Sequence, residues 1–98
     1  MNRGYLIENY TVTDNKNYIP PVKAINKILE KFNGKFLVAT PKAKTLFGSP
    51  LEVVLVMEFK SVDNAYEFHT SKEYGNYKKL YENTTQGWIC LAPEYIKK

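Results

Sequence analysis

The period of the apolar positions changes along the chain, and each change marks an element. GYLIENYTV (4–12) interleaves β-branched and aromatic residues with polar ones, which predicts a first strand; the TDN that follows offers Asp14 to cap a turn. From 15 to 34 the period lengthens. Val22, Ile25, Ile28, Leu29 and Phe32 recur at helical spacing, Pro20 and Pro21 suit a first turn, and Gly34 stands where a left-handed stop is expected. A proline disfavours helical geometry in the residue before it, so residues 14–19 are expected to form a separate short turn. KFLVA (35–39) predicts a second strand, and TPKAKTLFGSP (40–50) reads as a polar connection punctuated by Pro41, Gly48 and Pro50.

LEVVLVMEF (51–59) is almost continuously apolar between turn residues, the pattern of a central strand covered on both faces. Side chains alternate along a strand, so Glu52 and Glu58 share a face. Ser61 is placed to cap a helix whose inward face is expected to be Val62, Ala65, Tyr66 and His69. Ser71 caps a second segment carrying Tyr74, Tyr77 and Tyr81, which predicts a break near Thr70. Gly75 costs that segment about 1 kcal/mol relative to alanine, so it must be held by packing. WICL (88–91) is the last strand and APEYIKK a tail. Apart from two βαβ-like halves there is no repeat, linker or low-complexity stretch, and residues 1–98 read as one domain.

Strand, helix, strand, strand, helix, strand is the split βαβ order. It predicts an α+β, ferredoxin-like βαββαβ domain with an antiparallel four-stranded sheet of order 4-1-3-2 and both helices on one face. Val54, Val56 and alternate residues of the first strand then form an apolar surface on the other face, and no element is left to cover it. A second copy would cover it, so a homodimer through the sheet faces is expected.

Composition narrows the partners. The 98 residues carry a formal charge of +4, but thirteen of the fourteen basic residues are lysines, scattered or in pairs, with Arg3 the one guanidinium. That is a solvated surface rather than a nucleic-acid stripe. Cys90 is the single cysteine, excluding an internal disulfide; GWICLAPEY suggests a buried strand and a reducing compartment. No apolar run reaches the length of a signal peptide or membrane span, so a soluble cytoplasmic protein without membrane contact is expected. One histidine and one cysteine on different elements make a poor ligand set, so neither metal nor haem is expected.

GYLIENYTVTD, NGKFLVA, EFKS and AYEFHTSKEY occur in the order and spacing of a family of small bacterial proteins, and residues 4 to about 91 resemble the domain-of-unknown-function family numbered 1330. Glu58-Phe59, Ser61, Ala65, Ser71 and Glu73-Tyr74 carry the likeness most specifically; none is a catalytic signature. The resemblance implies a dimeric α+β barrel, in which two protomers face their sheets together. Related proteins span several chemistries, so it selects no reaction. This chain has Ala39, Val53 and Tyr81 where the family often carries arginine, which removes the basis for an inherited anion site, and Lys72 replaces the usual proline of the turn.

Glu58 near the end of a central strand, with Glu8 of the first strand on the same face, would put two carboxylates in one apolar cavity and raise one pKa into the range of acid–base work. The competing reading is an ion pair between Glu58 and Lys35. His69 is the only histidine; it either fills an aromatic niche or meets a ligand. The tyrosines at helical spacing suit core or interface, with Tyr10 and Trp88 at a pocket mouth. No phosphate loop, nucleophile elbow or zinc helix is present. Two functions follow. One is a small-molecule-binding domain or cofactor-independent enzyme whose pocket, between sheet and helices, is lined by Glu8, Tyr10, Glu58, His69 and Tyr74. The other is a non-catalytic dimeric module whose cavity has filled with side chains.

Overall fold

A computed structural model of the chain describes residues 2–98. The elements run β1 (Gly4–Val12), α1 (Pro21–Ala24), α2 (Asn26–Lys31), β2 (Gly34–Thr40), β3 (Val53–Phe59), α3 (Val62–His69), α4 (Lys72–Thr84) and β4 (Thr85–Pro93). The strands form one antiparallel sheet in the order β2-β3-β1-β4, the expected order read from the other edge. β1 is central and paired on both sides: Leu6 faces Met57 of β3 and Leu91 of β4, and Glu8 faces Leu55 and Ile89.

Alternation along the two central strands gives the sheet its two faces. Leu6, Val53, Leu55, Met57 and Phe59 point to one side and form a single core with Ile25, Leu29, Ala65, Phe68 and Tyr74 from the helical layer. The intervening residues of β3, Val54, Val56 and Glu58, are half-buried on the opposite face. A β-bulge between Phe36 and Val38 interrupts the pairing of β2 with β3.

The predicted first helix is two short pieces, because Ile25 departs from helical geometry at φ −120° and ends the first turn. Val22 is accordingly exposed and outside the core. The left-handed residue is Asn33, at φ 60°, rather than Gly34; asparagine tolerates this region better than other side chains do. Gly34 instead opens β2, where a Cβ would lie 2.5 Å from the Phe59 ring.

The break near Thr70 is present. Ser61 and Ser71 cap α3 and α4, their Oγ atoms accepting the Asn64 and Tyr74 backbone N–H groups at 3.0 and 3.1 Å. The inward stripe of α3, however, is Ala65 and Phe68, not Ala65 with Tyr66. Phe68 is 1% exposed and Tyr66 is 61% exposed. Phe68 packs its ring 4.6 Å from that of Tyr74 and 5.4 Å from that of Phe59, contacts that decide which face of the helix is buried. β4 is longer than its apolar centre suggested. It is an edge strand, so Cys90 is exposed rather than buried. The connection before β3 is irregular, as expected, and carries two nearly fully exposed apolar side chains, Leu46 and Phe47. No helix among the described residues is long and apolar enough to cross a membrane.

The buried stripe of α3 can be tested by truncation. Phe68→Ala should lose about 3–5 kcal/mol of unfolding free energy through the cavity it leaves, whereas Tyr66→Ala should stay within about 0.5 kcal/mol of the parent. Urea unfolding of the two variants measures both.

Candidate functional site

On the helix side of the sheet, a cavity of about 450 Å³ lies where α4 faces β1 and the first half of β4. Tyr74, Lys78, Tyr81 and Glu82 of α4 line it. Their offsets of four, seven and eight residues put them on one face of the helix. β1 supplies Glu8 and Tyr10, α3 ends at the cavity with His69, and Thr85 through Ile89 form the wall along β4. Gly87 lets that wall close in. Opposite Tyr10 in the ladder, a Cβ there would overlap the Asn9 carbonyl oxygen and lie 2.6 Å from the Tyr10 Cβ.

The hydroxyls around the cavity divide into two kinds. Tyr10 shares a 2.7 Å hydrogen bond with Tyr18, and Tyr81 donates to the Ile19 carbonyl oxygen at 2.6 Å, so both are held by the segment ahead of α1. The Tyr74 hydroxyl makes no such bond among the described residues, and burial followed by the charge of Glu8 pushes its pKa up. Its ring is fixed between Phe68 and His69, with the His69 centroid 5.9 Å away.

Glu8 is the group of greatest chemical interest. Its carboxyl belongs to the core-facing side of β1, makes neither a hydrogen bond nor an ion pair with any described residue, and meets the cavity. Burial alone pushes its pKa from 4.5 up to about 7. A carboxyl with that pKa exchanges its proton near neutral pH and can serve as either donor or acceptor. His69 moves the other way: burial, then the nearby Lys78 charge, lower its pKa, with Glu82 opposing. Its Nδ1 is buried without a hydrogen-bond partner. The ring also borders a second hollow of about 280 Å³ with Leu6, Tyr66, Ile89 and Leu91.

Four of the five residues expected around one pocket, Glu8, Tyr10, His69 and Tyr74, therefore lie together, and Trp88 lines the same cavity. Glu58 does not join them. It faces Tyr5 in the ladder, whereas Glu8 faces Leu55, three residues away along β3 and hence on the other side of the sheet. The expected pair of carboxylates in one cavity is thus corrected to two carboxylates on opposite faces. Glu58 accepts a 3.0 Å hydrogen bond from the Tyr5 hydroxyl and has Lys35 Nζ at 3.8 Å and Arg3 Nε at 3.9 Å, so the ion-pair reading is the one realised. Sequence reasoning missed Lys78, Glu82, Gln86 and Gly87. The first two were legible as polar positions continuing the Tyr74–Tyr81 stripe, whereas the β4 residues required the strand register. Among the described residues no cluster of three histidine, cysteine or carboxylate side chains stands ready to hold a metal ion.

Fold and cavity define a small α+β protein with an aromatic-walled pocket between a four-stranded antiparallel sheet and its helices. Over residues 3–95 the chain matches the domain of unknown function DUF1330, and it belongs to that family. No curated protein matches it. The chain is similar in fold to the crystal structure of RPA0582, a protein of unknown function from Rhodopseudomonas palustris, with a TM-score of 0.77 and 12% identity over 98% of this chain and 85% of that one. The methylated form of RPA0582 gives a TM-score of 0.73 at 12% identity, over 97% of this chain and 82% of that one.

The buried carboxyl makes stability depend on pH. Because the pKa of Glu8 is higher in the folded chain than its ordinary 4.5, folding favours the protonated form; its contribution to stability is greatest below pH 4.5 and declines until pH rises past about 7. Glu8→Gln removes this dependence. The variant should gain stability over the parent between pH 5 and pH 8, by an amount on the order of 3 kcal/mol, as chemical denaturation at the two pH values would show.

Proposed function

We propose that this protein is a homodimeric small-molecule-binding domain whose pocket exchanges a proton with its ligand through Glu8, and which can thereby support cofactor-independent acid–base chemistry. The observation that carries this reading is the Glu8 carboxyl, half-buried, without a partner among the described residues and facing an open cavity of about 450 Å³. A domain that needed its core only for stability would gain from an apolar residue there, since an uncompensated buried carboxylate is destabilising. The volume lies in the range of sites for small organic ligands. An open cavity also argues against a module whose pocket has filled with side chains.

In this reading Glu8 accepts or donates the proton, the Tyr74 hydroxyl hydrogen-bonds a polar atom of the ligand, and Tyr81 and Ile89 hold its apolar body. His69, at the edge, stays neutral at neutral pH and offers a further hydrogen bond rather than a charge. Dimerisation uses the opposite face. Ile7, Val38, Val54, Val56 and Cys90 belong to its centre by strand alternation, with the Arg3, Lys35 and Glu58 group at one end and Thr11, bonded to Glu52 at 2.6 Å, at the other. An apolar centre with a polar rim is the composition of a protein–protein interface.

Static light scattering should give twice the chain mass at micromolar concentration, and Val56→Lys should halve it. A parent monomer would remove the dimer. A thermal-shift screen of small organic molecules tests the pocket: Glu8→Gln should abolish the shift produced by an ionisable hit, while Glu58→Gln, changed on the other sheet face, should preserve it.

A further inference from the structure

We infer that the ligand of this pocket is a small organic amine, its ammonium group seated on the Glu8 carboxylate and its apolar body against the aromatic wall of Tyr74 and Tyr81. The inference rests on the Glu8 pocket proposed above and specifies the chemistry that fills it. Its basis is a missing counter-charge. Among the described residues Glu8 has no cationic partner within ion-pair distance, whereas the carboxylate on the other sheet face, Glu58, has two basic groups within 4.0 Å. The one cation lining the cavity, Lys78, stands on the same helix face as Glu82 and acts on His69, whose protonation it opposes. Glu8 is left to a cation from outside.

The surroundings favour the same class. Tyrosine rings attract cations electrostatically, more strongly when water is excluded. Tyr10, Tyr74 and Tyr81 approach Glu8 from β1 and α4, and Tyr18 lies behind Tyr10. All four phenols have pKa values raised chiefly by burial and are neutral at neutral pH. β3 and β4 oppose Glu8 with Leu55 and Ile89, which carry no charge. A ligand carboxylate would enter against two carboxylates, Glu8 and Glu82, with Lys78 as its only counter-charge. An ammonium meets the reverse balance.

Seating an ammonium requires Glu8 to release its proton to solvent. Affinity should therefore rise with pH while Glu8 ionises, and level off above. Raised from 4.5 to about 7, the carboxyl places that rise between pH 6 and pH 8. A simple amine keeps its proton throughout this range, so the dependence belongs to the protein.

The test is calorimetric titration of the intact protein with 2-phenylethylamine, 2-phenylethanol and 3-phenylpropanoate at pH 6, 7 and 8. The amine should bind most tightly, gain about tenfold in affinity from pH 6 to pH 8, and release a fraction of a proton at pH 7. The alcohol should be insensitive to pH. Glu8→Gln, checked for folding by its thermal melt, should lose the amine and retain the alcohol. Preference for the alcohol or the acid, an amine affinity unchanged between pH 6 and 8, or no binding of the amine at millimolar concentration overturns the inference. Carbon-detected NMR of the Glu8 carboxyl distinguishes the failures. If it titrates near 7, the proton-exchanging pocket stands and only the amine is removed; if it titrates in the ordinary carboxylate range, the pocket reading falls as well.

Discussion

The position of β1 between β3 and β4 is the constraint on which the rest depends. Two ladders fix its register, and side-chain alternation then distributes its residues without further freedom: Leu6, Glu8 and Tyr10 toward the helices, Tyr5 and Ile7 away from them. A slip of one residue would exchange the two sets, sending Leu6 out of the core and Glu8 with it. Asn9 helps to hold the neighbouring chain in place. Its amide donates to the Leu51 and Val53 carbonyl oxygens at 2.8 and 2.9 Å, and its side-chain oxygen accepts from the Leu51 N–H at 3.1 Å, tying the start of β3 to β1. The desolvated carboxyl of Glu8 follows from the packing of Leu6 on one side of it and Tyr10 on the other.

The helix break gives this strand something to face. Ser71 acts twice, accepting the Tyr74 N–H and donating to the Phe68 carbonyl oxygen at 2.7 Å, while Thr70 Oγ1 donates to the Tyr66 carbonyl oxygen at 2.8 Å. The carbonyl groups freed at the end of α3 are thereby satisfied within the turn. The turn also sends α4 across the sheet with Tyr74 inward. From that point the helix needs no tertiary instruction to line a cavity: a residue every three or four positions does so, and Tyr74, Lys78, Tyr81 and Glu82 occur at that spacing. Hydroxyl bonds from Tyr10 and Tyr81 to the segment ahead of α1 brace the wall, whereas the Tyr74 hydroxyl, the Glu8 carboxyl and His69 Nδ1 make no hydrogen bond with a described residue.

The two sheet faces use carboxylates in opposite ways. Glu58 is compensated by a tyrosine hydroxyl and two basic side chains. Glu8 has no compensating partner among the described residues and carries a pKa raised by burial, an arrangement that costs stability. The chemical distinction between two glutamates of one sheet comes from their neighbours, since the side chains are identical.

Most of the architecture was legible in the residues. Alternation in 4–12, the apolar run 51–59 and the serines at 61 and 71 determine the strands, the central position of β3 and the helix break, because these signals are local: period, capping and proline geometry act within a few residues. Four of the five residues expected around one pocket, which line the same cavity, were likewise within reach of helical and strand spacing. What lay outside was every property that depends on two segments meeting. Which side of the sheet Glu8 shares with Glu58, whether Tyr66 or Phe68 is buried, whether Cys90 lies inside, and which residue takes the left-handed conformation before β2 are decided by register and ring packing across distant parts of the chain. The sequence determined that a carboxyl would stand in the first strand; only the tertiary structure decided that it would face the tyrosines of α4 with no cation of the described residues paired to it, because the free energy of a charge is set by what surrounds it.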